Sequence, residues 1–187
     1  MSDARPSETM RDLGVIQADA PILRQPTRPF ALPAERDVAE QVLDQLFAAA
    51  VRIAEVHPFA KGMGIAAPQI GIDRAAAIVQ PAEAGAAPIT LLNPRIISRS
   101  DETDEQFEGC LSFFDVRGLV PRPLAITVEQ TGLDGSTTVC TYRQGMARLI
   151  HHEIDHLDGH LYEDRMRDGV TPISVEEYRQ TGTVWSY

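Results

Sequence analysis

Hydrophobic and polar positions follow two different rhythms along this chain. Between residues 37 and 56, Ala39, Leu43, Leu46, Ala50, Ile53 and Ala54 recur on one helical face with Glu, Asp, Gln and Arg between them. That period predicts an amphipathic helix of about five turns. Pro58 stops it, and Gly62 and Gly64 lie beyond. The rhythm then shortens toward two. An apolar run at 75–79 and segments 89–93 and 95–98 read as strands, separated by an Ala/Gly/Pro loop at 81–88. Segments 124–129 and 137–142 alternate apolar and polar around Asp134-Gly135, the signature of a hairpin. Residues 101–105 hold four acids and read as a solvated turn. A second helix is predicted over 144–157, with Met146, Leu149, Ile150, Ile154 and Leu157 as its apolar stripe and Gly159 as its stop. Ser174-Val175-Glu176-Glu177 has the form of a capping box and predicts a last short helix. The sum is an α+β fold: one long N-terminal helix, a mainly antiparallel β-sheet, and a later helix around which the sheet packs.

Length and composition narrow the class. The 187 residues suit one domain with a substantial core. Residues 1–20 are rich in Ser, Asp, Arg and Pro and read as a flexible N-terminal arm, and the proline-rich segment 22–33 as extended chain. Residues 21–187 then form a single domain, with 166–187 as a C-terminal tail. The formal net charge of -10 argues against nucleic acid or an anionic membrane surface as the partner. No apolar run approaches the roughly 18 residues of a membrane span, and the N-terminus lacks a signal-peptide apolar block. The expected location is cytoplasmic. Two cysteines, Cys110 and Cys140, are too few for a disulfide framework.

Candidate chemistry sits on the second helix. His152-Glu153-Ile154-Asp155-His156 contains H-E-x-x-H. Residues i and i+4 of a helix project to the same side, so His152 and His156 can converge on one metal ion, with Glu153 poised to act on a bound water. A catalytic tetrahedral site needs a third protein ligand and one open position. In the extended protease pattern the third ligand falls at position 162, which is Tyr here; His160 is out of register, and Glu176 and Glu177 are explained by the capping box. A cysteine is the remaining candidate. Cys140 lies in an alternating strand and reads as an ordinary strand residue. Cys110, in Glu108-Gly109-Cys110-Leu111-Ser112, has Gly109 beside it to permit a close backbone approach, although a lone Cys is more often a small buried hydrophobe. Gly62-Met63-Gly64-Ile65-Ala66-Ala67-Pro68-Gln69 is a third unusual segment, small enough for backbone to approach a ligand and ending in an amide.

Together these three segments resemble the peptide deformylase family, whose motifs G-x-G-x-A-A-x-Q, E-G-C-x-S and H-E-x-D-H appear in that order at 62–69, 108–112 and 152–156. The resemblance covers roughly residues 22–165. It implies a metallohydrolase that removes the formyl group from N-formylmethionyl peptides of nascent proteins and releases formate. Carried onto this chain, Cys110, His152 and His156 bind one divalent metal ion, Fe²⁺ by family habit, although Zn²⁺, Ni²⁺ and Co²⁺ suit the same donors. Glu153 is the general base, and the Gln69 amide and Leu111 backbone N–H stabilise the oxyanion. Met63 and Gly64 pair with substrate as an added strand. Arg117 stands at the mouth, Gly109 borders the substrate, and Met63 and Leu149 line the methionine pocket. Arg122 braces the metal helix by pairing with Glu153 or Asp155.

The sequence departs from the family pattern in four places. His151 replaces the Gln usual before the first ligand His, Phe113-Phe114 stand where many members have a nearby Pro, and position 68 is Pro. The tail carries Glu176-Glu177 in place of the basic helix some bacterial members use at the ribosome. Two other functions stay open: hydrolysis of a different N-formyl compound, and a structural metal site without catalysis.

Overall fold

The computed structural model describes residues 5–183. Four helices and nine strands alternate as α1 (Pro6–Asp12), α2 (Arg36–Val56), β1 (Met63–Ala66), β2 (Ala76–Gln80), β3 (Ile89–Leu92), β4 (Arg95–Arg99), β5 (Thr103–Glu108), β6 (Val116–Pro123), β7 (Ala125–Thr131), β8 (Thr137–Arg143), α3 (Gln144–Leu157), β9 (Ile173–Ser174) and α4 (Val175–Thr181). The strands form three antiparallel sheets, ordered β1-β2-β3, β4-β7-β8 and β5-β6-β9. No described helix is long and apolar enough to cross a membrane.

The first sheet is the partition on which the molecule is built. In β2 every residue from Ala76 to Val79 is buried, because both faces are covered. The period of two sorts them: Ala76 and Ile78 join the cluster under α2, and Ala77 and Val79 join the cluster under α3. In β1, Ile65 falls on the α2 side and Ala66 on the α3 side, so Gly64 also faces α3. The buried face of α2 is Ala39, Val42, Leu43, Leu46, Ala49 and Ile53. This stripe is rotated from the one the period predicts, leaving Ala54 exposed and Ala50 at the margin. By contrast α3 is enclosed on all sides: Ala147, Ile150, Ile154 and Leu157 meet the sheets, while its polar face is buried too.

Two expectations need correction. The acids of 101–105 are not all turn: β5 starts at Thr103 and pairs with β6 from Thr103↔Pro123 to Glu108↔Gly118. Its acids are tolerated in a strand because they meet arginines, Asp104 pairing with Arg148 and Glu105 with Arg167. Nor are residues 5–20 a loose arm; residues 1–4 lie outside the described part. Here α1 ends in a Schellman motif, with Gly14 at φ +91°, its N–H on Arg11 O and the Val15 N–H on Met10 O. That turn buries Met10 and Val15, each 2% exposed, in the α2 cluster beside Leu111 and Phe114. Met10→Ala is expected to cost about 2 kcal/mol, the low end for a buried Met because the short helix can detach locally. Urea unfolding checks this; a loose arm would give no change.

Candidate metal centre

The site forms where three short segments meet the buried face of α3. Cys110 lies two residues past the end of β5 and directly precedes a 3-10 turn, Leu111–Phe113. Gln69 sits in a second 3-10 turn, Ala67–Ile70, that leaves β1. His152 and His156 lie one turn apart on α3, their rings 5.0 Å between centroids. One ligand atom from each of Cys110, His152 and His156 falls within 4.8 Å of the others, and all three residues are buried. The Cys110 Sγ to His156 Nε2 separation is 3.2 Å.

Outside this triad lies a buried ionic frame. The Glu108 carboxylate is 2.9 Å from His152 Nδ1, which leaves Nε2 of that ring to face Cys110 and His156. Arg122 donates to both oxygens of Glu108 (2.8 and 2.9 Å) and to Asp155 Oδ2 (2.6 Å). Arg148 adds a bond to Glu108 Oε1 at 2.7 Å and one to Asp104 Oδ1 at 2.7 Å. Arg165 closes on Asp155 Oδ1 at 2.8 Å. Burial opposes ionisation of Glu108, but the Arg122 guanidinium holds the carboxyl well below the usual range. Asp155 is likewise held down at about 2 by Arg122 against burial. Burial disfavours a charged His152, yet its bonds to Cys110 and Glu108 raise it well above an ordinary imidazole. His156 goes the other way, driven down by burial and then by His152. So Arg122 pairs with Asp155 and Glu108, not with Glu153.

Among the described residues, Glu153 has no cation partner of its own. It is 3% exposed, its Oε2 has no hydrogen-bond partner, and burial pushes its carboxyl up to about 7. Space for it comes from Gly64: a Cβ there would lie 2.5 Å from Glu153 Cδ and 2.6 Å from Cγ. Gln69 is fixed by the Ala66 N–H, which donates to Oε1 at 2.9 Å and so turns Nε2 toward Ser112 Oγ (3.2 Å) and Cys110 Sγ (3.5 Å). Arg117 covers Gly109, where a Cβ would meet its guanidinium carbon at 2.7 Å, and lies 4.8 Å from the centre of the Phe114 ring.

A cavity of about 360 Å³ opens onto this centre. Met63, Gly64, Gln69, Gly109, Cys110, Leu111, Arg117, Leu149, His152 and Glu153 all line it, so residues of all three sequence segments meet at one cavity; His156 lies behind, against Cys110. The edge of β1 not paired to β2 borders the same space. Phe113 and Phe114 separate: Phe113 packs behind the site on Tyr162 at 4.5 Å, while Phe114 reaches the cavity beside His57. Sequence reasoning quoted Glu108 and Ser112 in their motif without giving them a role, and missed Arg148, Phe107 and Tyr178. The first three act only through tertiary contacts, and Phe107 and Tyr178 meet at 5.3 Å from distant elements. His151 is buried and held down to about 4 by burial, pointing away from the triad toward Asp155 at 3.9 Å.

The Polypeptide deformylase family profile matches residues 13–171. Peptide deformylase 2 of Nostoc sp. is 35% identical over 178 residues, spanning 91% of this chain and 95% of the relative. The peptide deformylase of Chloroflexus aurantiacus is 38% identical over 181 residues, with 89% and 91% covered. Among solved structures, a Met-Ala-Ser-bound class I type b peptide deformylase from Acinetobacter baumannii superposes with a TM-score of 0.71 at 29% identity, covering 81% of this chain and 96% of that one. Antiparallel sheets around a buried helix, three motif segments drawn to one cavity and this extent of similarity agree, and the chain belongs to the peptide deformylase family.

Proposed function

We propose that this chain hydrolyses the formyl group from N-formylmethionyl peptides, with Cys110, His152 and His156 holding one divalent metal ion. The carrying observation is the convergence, at one cavity and just behind it, of a Cys/His/His donor set, a buried carboxylate with no cation partner among the described residues and an amide donor already turned toward the donor set. The donors fit a metal: His152 has its Nδ1 committed to a carboxylate, the usual orientation device of a metal-bound His, and Cys110 supplies a soft ligand. A bound divalent ion supplies Lewis acidity, lowering the pKa of water and polarising the formyl oxygen. Fe²⁺ is the proposed native ion; Zn²⁺, Ni²⁺ and Co²⁺ suit the same donors.

The remaining steps belong to the protein. Glu153 takes the proton from the attacking water and returns it to the departing amine nitrogen; a carboxyl poised near neutrality serves both directions. The Gln69 Nε2–H and the Leu111 N–H receive the negative charge that develops on the formyl oxygen. The free edge of β1 at Met63 and Gly64 offers backbone groups to an extended peptide, and Leu149 and Met63 offer apolar surface to the methionine side chain. Arg117 stands over Gly109 at the border of the cavity. This function places the enzyme in the cytoplasm with nascent chains. The α4 helix opens with Glu176 and Glu177 and so does not itself supply a basic helix for contact with the ribosome.

The test is formate release from formyl-Met-Ala-Ser by anaerobically metallated protein. Release with iron, nickel or zinc is expected; none with any of the three sinks the proposal. Gly64→Ala is expected to lower kcat/KM by about 10²-fold, because the added methyl occupies the place of the Glu153 carboxylate. Its melting temperature should stay near that of the parent, and an unchanged kcat/KM in Gly64→Ala would show that the Glu153 carboxylate need not occupy this place to act. A second reading, hydrolysis of another N-formyl compound, is favoured by the aromatic wall of Phe107, Phe114 and Tyr178. A kcat/KM for formyl-Met-Ala-Ser far below that for small formylated aromatic amines would select it.

A further inference from the structure

We infer that residues 7–18 form a positioning strap that sets the Gln69 amide, an inference that rests on the deformylase reading and extends it to a segment with no assigned role. The two 3-10 turns that carry Gln69 and Leu111 are short and belong to no strand ladder, so neighbouring elements must hold them in place. The strap touches both. The Ile16 N–H donates to the Gln69 carbonyl at 2.8 Å, and the Ala18 N–H donates to the Ser112 carbonyl at 2.9 Å. Ser112 in turn holds Gln69 from the side-chain end, its Oγ accepting from Nε2 at 3.2 Å. Gln69 is thus gripped at its backbone directly and at its amide through Ser112.

The far end of the strap is anchored just past the Leu111–Phe113 turn. The Asp115 carboxylate accepts from the Ser7 N–H at 2.9 Å and from Ser7 Oγ at 2.5 Å. Met10 and Val15 lie in one buried cluster with Leu111 and Phe114. The Gln17 side chain donates to Val15 O at 2.9 Å and stiffens the bend between helix and strap. These contacts favour one placement of an amide that must meet charge developing in the transition state, where a shift of about 1 Å costs as much as 10² in rate. The strap touches no substrate; Ala18 and Asp115 are positioning residues.

The experiment is a double-mutant cycle on kcat for formyl-Met-Ala-Ser. Ala18→Pro deletes the N–H that holds Ser112. Asp115→Ala removes the acceptor for Ser7 and acts from outside the core should Ala18→Pro fail to fold. Each is expected to lower kcat about tenfold with KM within about twofold, and to have less than about a twofold effect when Gln69 is already Ala. Asp115→Asn, which keeps an acceptor oxygen for Ser7, should recover most of the loss. Equal losses in the two backgrounds, a rise in KM at unchanged kcat, or no loss in either variant overturns the strap. Wild-type protein that releases no formate overturns the deformylase reading itself, and the strap with it.

Discussion

Glu153→Ala should keep its metal and lose about 10²–10⁴-fold in formate release, whereas Cys110→Ala should lose the metal. The two residues flank the same cavity, so the pair of variants separates chemistry from metal binding. Glu153 contributes no atom to the Cys/His/His cluster, and its Oε2 meets no hydrogen-bond partner among the described residues. Truncating it leaves the three donors and the Glu108 support of His152 untouched. What disappears is the group proposed to carry the proton from water to the leaving nitrogen, and the expected loss falls in kcat more than in KM. Cys110 is different. Without its thiolate the site keeps two imidazoles and no anionic ligand, too few for a closed set of three protein donors. Metal analysis after gel filtration, beside single-turnover formate release, reads both outcomes. Full turnover in Glu153→Ala overturns its role as base; unchanged metal content in Cys110→Ala disqualifies it as a ligand.

The difference between those residues also explains what was legible in the sequence. His152, Glu153 and His156 are joined by a helical period, so spacing alone brings them to one side, and α3 spans the residues its apolar rhythm predicts. Cys110 reaches them only because β5 pairs with β6 and brings the residues just past Glu108, Cys110 being the second, to the helix. No local pattern encodes that meeting; joint resemblance of three segments did. The ionic frame was less legible still. Arg148 sits on the polar face of α3 one turn before His152, and Glu108 at a strand end, and each looks like a solvated charge until Arg122 is found between the acids. The arm is a separate case. Pro6 at a helix start and Gly14 just past its end are helix signals in plain view, but its polar composition outweighed them. The rotated stripe on α2 arose because the sheet beneath sets which of several adjacent apolar positions face inward.

Arg122→Met should destabilise the fold by about 3 kcal/mol and weaken metal binding by about 10-fold or more. The guanidinium is 1% exposed and bridges Glu108 and Asp155, both buried. Removing one partner of a buried ion pair is costlier than the pair is worth, since the remaining charges stay out of water unpaired. The loss should fall at the lower end of the usual 3–5 kcal/mol because Arg148 still reaches Glu108 and Arg165 still reaches Asp155. The metal site feels it through Glu108. That carboxylate is kept ionised against burial chiefly by Arg122, and a weaker anion holds the His152 ring less firmly. Arg122→Lys keeps the charge but not the two-pronged contact, and should fall between the two. Arg95→Met is the control: its partner Glu129 is at the surface, its own side chain is 69% exposed, and a change below about 1 kcal/mol is expected. Urea unfolding and zinc competition titration read the two effects independently. If Arg122→Met unfolds like Arg95→Met, the buried frame contributes no more than a surface pair and cannot be what steadies His152.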